Sequence, residues 1–103
     1  MFEKLAEARQ RAEEIKQKLD AITVEGEAGN GKVKAIATGN KKIMDIFIAD
    51  ELMTAERKEE LQDLILIAVE NAMNAAENVS QSEMQALMST MMPGGLGSLF
   101  GKK

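Results

Sequence analysis

Two groups of cationic side chains are the residues best equipped for chemistry in this sequence. Lys32, Lys34, Lys41 and Lys42 fall in a Val- and Ile-rich stretch, and Arg9, Arg11, Lys16 and Lys18 fall near the N-terminus. Ammonium and guanidinium groups grouped in this way suit contact with the phosphates of a nucleic-acid backbone. They also have plainer uses, because Lys discourages strands from pairing edge to edge and alternating charges often mark a solvated helix face.

Other chemistry is scarce. The chain has no His and no Cys, which removes the usual proton shuttle near neutrality, thiolate nucleophiles, disulfides and the commonest zinc ligands. Glu56 with Glu60, and Glu59 with Asp63, are carboxylates one helical turn apart, but no nucleophile or third ligand accompanies them. Gly29-Asn30-Gly31-Lys32 lacks the full spacing of a phosphate-binding loop and precedes a strand instead of a helix. The expectation is a protein that is not an enzyme and needs no metal, cofactor or small-molecule substrate.

Charge is unevenly distributed. Seventeen acidic residues exceed thirteen basic ones, yet residues 50–92 alone hold nine acids against two bases. Residues 1–22 are balanced at five each, and residues 23–49 hold four bases against three acids. A phosphate-binding surface is therefore expected on the first helix and the strands, away from the acidic second helix.

The elements that position these groups are legible from apolar spacing. Leu5, Ala8, Ala12, Ile15, Leu19 and Ile22 recur every three or four residues and predict an amphipathic helix over residues 2–20. Residues 22–25 alternate as a strand does, and Gly26, Gly29, Asn30 and Gly31 supply a tight connection. Residues 32–38 and 41–49 read as two more strands around Gly39-Asn40. Thr54 is a candidate N-cap for a long second helix that carries Leu61, Ile65, Ala68, Ala72, Ala75 and Val79 and weakens in pattern near residues 78–82.

An α+β fold results: an N-terminal helix, a three-stranded antiparallel meander and a long C-terminal helix. Strict alternation in the third strand puts Met44, Ile46 and Ile48 on one face and Ile43 and Phe47 on the other. A small sheet with two apolar faces needs two covers, so a homodimer is expected, intertwined or sheet-mediated. Residues 1–92 form one domain in this reading, and residues 93–103 a flexible Gly-rich tail. The longest apolar run, Leu64 to Val69, is too short to span a bilayer, and the N-terminus lacks the pattern of a secretory signal, so a soluble cytoplasmic protein is expected.

The stretch Val24-Glu25-Gly26-Glu27-Ala28-Gly29-Asn30-Gly31-Lys32-Val33-Lys34, with Gly39, Ile46, Ile48 and Leu52 after it, resembles the YbaB/EbfC family of bacterial nucleoid-associated proteins. The resemblance runs from the first helix to about Val79 and departs where the family commonly ends its third strand with Asp-Pro, since Ala49 and Asp50 stand there. It implies a homodimer that binds duplex DNA in the nucleoid. Only Phe2, Phe47 and Phe100 are aromatic, with Phe47 placed in a core strand, and no helix carries an Arg, Asn and Gln set aimed at base edges. Backbone-directed binding of low sequence specificity is expected. The alternative is a prefoldin-like or secretion-type chaperone, suggested by the adaptable side chains of Met84, Met88, Met91 and Met92.

Overall fold

The computed structural model describes residues 2–91, with side-chain surroundings for residues 3–89. The order is α1 (Phe2–Ala21), β1 (Thr23–Ala28), β2 (Val33–Thr38), β3 (Ile43–Ile48), two short 3-10 turns (Asp50–Leu52 and Ala55–Arg57) and α2 (Lys58–Met91). The strands form one antiparallel sheet in sequence order, so the expected α+β meander is present. Residues 92–103, including the expected tail and Met92, lie outside the described residues.

Local backbone chemistry explains the connections. Gly29, Asn30 and Gly31 all have positive φ, which glycine tolerates without cost and asparagine better than most residues. Lys32 belongs to this turn instead of the strand, and β2 starts at Val33. At the other end of β2 the buried Thr38 hydroxyl accepts hydrogen bonds from the backbone N–H groups of Asn40 and Lys42, shaping the turn into β3.

The same turn closes the end of α1. The Asn40 side-chain amide donates to the Lys16 carbonyl at 2.9 Å and to the Asp20 carboxylate at 2.5 Å, while Gly39 N–H donates to the Leu19 carbonyl at 3.0 Å. The Leu19 carbonyl, in the last turn of α1, is thereby given a partner from the turn. Thr54, in contrast, makes no side-chain capping bond, and α2 begins only after the second 3-10 turn.

The core lies between α2 and the first two strands. Val33, Ala35 and Ala37 of β2 and Ala28 of β1 pack against Ala68 and Ala72, and Leu52 seals the end from the connection after β3. The small side chains let helix and sheet approach closely. Gly26 lies against the backbone of Ala68 and Ala72, where a Cβ would collide. Farther along, the buried position of α2 is Ala76 instead of the expected Ala75, and the helix continues without a break through residues 78–82.

The helices extend well past this core. Ile15 and Leu19 of α1 are covered, but Leu5 of the same stripe is exposed. The described residues extend over 62 × 32 × 16 Å with a radius of gyration of 19.2 Å, against roughly 13 Å for a compact chain of about 100 residues.

Strand β3 departs from strict alternation. Ile36 pairs with Asp45 but Ala37 pairs with Ile43, so Met44 is the extra residue of a β-bulge. Directly paired residues share a face. The bulge therefore brings Ile43 to the face of Ile46 and Ile48, the face that α2 covers elsewhere, and leaves Phe47 beside Lys34 on the opposite face. That opposite face also carries Glu25, Glu27 and Asp45, so it is not the second apolar face expected from the sequence.

Candidate nucleic-acid interface

The hairpin between β1 and β2 positions the first lysine. Lys32 follows the positive-φ residues, and its ammonium lies 2.7 Å from a carboxylate oxygen of Glu51 in the first 3-10 turn. Arg57 reaches the same carboxylate at 3.7 Å and Glu60 at 3.9 Å. Hydrogen bonding from Lys32, then its charge, lowers the Glu51 pKa from the ordinary 4.5; burial opposes this and the Arg57 charge adds to it.

Lys34 stands within β2 on the face turned away from α2, half-buried between Glu27 and Phe47 in the adjoining strands. Lys41 and Lys42 lie beyond the far end of β2, so six strand residues separate Lys32 from them, about 20 Å of extended chain. The sheet lysines accordingly form no single cluster.

Asn40 ties the β2–β3 turn to the Lys16 carbonyl and the Asp20 carboxylate, which sets the exposed Lys41 and Lys42 near the C-terminal end of α1, where Lys16 and Lys18 are exposed on different sides of the helix. Lys41 takes a positive φ of 70°, and its ammonium pairs with Glu77 of α2. Hydrogen bonds from Lys41 and then Gln81, followed by the Lys41 charge, hold the Glu77 pKa below 4.5 against a small effect of burial. Lys18 pairs with Glu83 of α2 at 3.0 Å.

On the outer part of α1, Arg11 pairs with Glu7 at 3.2 Å. Arg11 and Lys18 flank a groove of about 230 Å³ between the helices, lined also by Glu14, Ile15, Glu83 and Leu87. Both cations there already face carboxylates, so the groove has no surplus positive charge. Among the described residues, Arg9, Lys16, Lys34 and Lys42 of the eight expected contacts form no ion pair. Lys4 and Lys58 are further exposed cations without one among these residues, and sequence reasoning passed over both. Lys4 stands apart from other bases, and Lys58, next to Arg57, falls in the acid-rich stretch 50–92.

The second feature is apolar. Along β3, Ile43 and Ile46 are exposed beside a helix that covers β1 and β2 but stops short of them. Met44 at the bulge and Phe47 on the other face are 56% and 55% exposed. Phe47 is thus outside the core in which the sequence placed it. Asn71 donates to the Glu27 carbonyl and Leu64 lies by Gly29, which fixes that side of α2 over β1. Helical spacing then places Val69, Met73 and the exposed Leu66 on the β3 side. An open apolar trough runs between them and Ile43 and Ile46.

Among the described residues no group of acidic side chains is arranged to hold a metal ion, and no helix is long and apolar enough to cross a membrane.

Comparison with known proteins gives these features a context. The sequence pattern described as the YbaB/EbfC DNA-binding family matches residues 1–91. A nucleoid-associated protein of Flavobacterium johnsoniae is 31% identical over 97% of this chain and 94% of its own. Nucleoid-associated protein TTE0040 of Caldanaerobacter subterraneus is 41% identical over 78% and 75%. The solved structure of the uncharacterized protein HP0035 from Helicobacter pylori shares the fold, with a TM-score of 0.73 at 20% identity over 82% of this chain and 88% of that one. The family and relatives' names describe DNA-binding and nucleoid association, not catalysis.

Proposed function

This chain belongs to the YbaB/EbfC DNA-binding family, and from that premise we propose that it is a nucleoid-associated protein of the cytoplasm that binds duplex DNA as a homodimer, with low sequence specificity, altering DNA conformation and thereby gene expression. Family membership is the observation that carries the DNA reading, and the distribution of charge supports it. Arg9, Lys16 and Lys42 are exposed cations on α1 and the β2–β3 turn, while α2 bears Glu59, Glu60, Asp63 and Glu70 on exposed positions. A polyanion meets less repulsion at the charge-balanced first surface than at the acidic second one.

The homodimer reading is supported by β3. An edge strand with exposed Ile43, Met44, Ile46 and Phe47 invites pairing with another chain. A second copy laid along β3 would cover both faces of that strand and the trough beside α2, and it would duplicate every cationic group, so that weak phosphate contacts reinforce one another. This favours the sheet-mediated arrangement over the intertwined one.

Fluorescence anisotropy with a labelled duplex across a salt series tests the DNA reading. Binding that varies little between unrelated sequences and falls steeply with added salt is expected. Absence of binding at low salt by a confirmed dimer would remove it. The chaperone reading retains one specific observation, the exposed Met84 and Met88, and suppression of client aggregation would then favour it.

A further inference from the structure

We propose that Glu51 and Glu77 are built-in competitors of DNA phosphate for Lys32 and Lys41, so that contacts within the fold hold the affinity for DNA down. The proposal rests on the DNA-binding reading and adds its regulation. At each end of β2 a lysine just outside the strand is held by a carboxylate from an element outside the sheet: Lys32 by Glu51 of the first 3-10 turn at 2.7 Å, and Lys41 by Glu77 of α2.

A carboxylate and a phosphate offer an ammonium group the same kind of anionic oxygen. A lysine engaged with Glu51 or Glu77 must leave it, or share itself, before it serves a phosphate, and the carboxylate left nearby repels the incoming anion. The pairs suit exchange more than permanent closure. All four side chains keep between 41% and 55% of their surface exposed, and pairs in such surroundings are weak. Structural duty lies elsewhere, in the close approach of Gly26 to Ala72 and the burial of Leu52.

The groups around each acid fit this role. Glu51 faces Arg57 as well as Lys32, and Glu77 accepts a hydrogen bond from Gln81 at 2.9 Å. Each carboxylate thus keeps a partner when its lysine departs. A carboxylate freed by DNA also gathers a cation from solution, so the net ion release per lysine falls below that of an unpaired one.

The experiment is a DNA titration of the full chain by anisotropy, comparing wild type, the double variant Glu51→Gln with Glu77→Gln, and a charge control, Glu59→Gln with Asp63→Asn. The control removes the same charge from exposed positions with no ion pair among the described residues. The competitor variant is expected to bind roughly three- to tenfold more tightly than the control, with a steeper salt dependence. Adding Lys32→Ala and Lys41→Ala should abolish the gain. Equal affinity in control and competitor variants, or a gain that survives removal of the lysines, overturns the proposal while leaving DNA binding intact. Failure of every protein to bind DNA overturns both.

Discussion

Gly26 of β1 lies against the backbone of Ala72 in α2, so close that a Cβ at Gly26 would overlap the helix. The helix backbone is bonded into its own ladder and has little freedom to withdraw. Gly26→Ala is therefore expected to destabilise the fold by about 1–3 kcal/mol or more, read as a lower urea midpoint with an unchanged slope.

The uncovered side chains of β3 predict an oligomer that separates without unfolding. Ile46→Asp combined with Phe47→Asp places charge on both faces of the strand where each side chain is exposed in the single subunit. Sedimentation equilibrium should shift from dimer to monomer while circular dichroism keeps its helical signal. A monomeric wild type at high concentration would refute the dimer.

Replacing Arg9, Lys16 and Lys42 together by Ala should weaken DNA binding evenly across sequences, because phosphate contacts carry no base information. These cations form no ion pair among the described residues, so little intramolecular structure is disturbed. The salt slope should fall by about 0.9 for each phosphate that the variant no longer neutralises. An unchanged slope would move the DNA-binding surface elsewhere.

The Lys32–Glu51 pair sets an acid limb to stability. Lys32 lowers the Glu51 pKa in the folded chain, mainly by hydrogen bonding. A folded value below the unfolded one means that the pair's contribution is complete above the unfolded value and is lost as pH falls through the lowered one. Carboxyl NMR titration should place the Glu51 midpoint below 4.5 and return it toward 4.5 in Lys32→Ala. Glu77 should respond to Lys41→Ala in the same direction.

The order of elements was legible because helices and strands announce themselves by local spacing, as at Leu5 through Leu19 and at Lys34 through Thr38. The bulge at Met44 was not, since an extra residue depends on the partner strand and leaves no mark in the alternation of β3 itself. Site legibility divides the same way. The identity of the eight cations could be read directly, but the pairing of Lys41 with Glu77 and of Lys18 with Glu83 joins elements distant in sequence. Gly26 announced a turn and proved to be the place where a strand meets a helix backbone.

The helices that overrun the core have a hydrodynamic consequence. A body whose described residues extend over 62 × 32 × 16 Å meets more drag than a sphere of equal mass, so a single subunit leaves a sizing column ahead of its true weight. Elution volume would then report a pair where there is one chain. Stoichiometry has to come from a quantity blind to shape, such as the intensity of scattered light at known concentration.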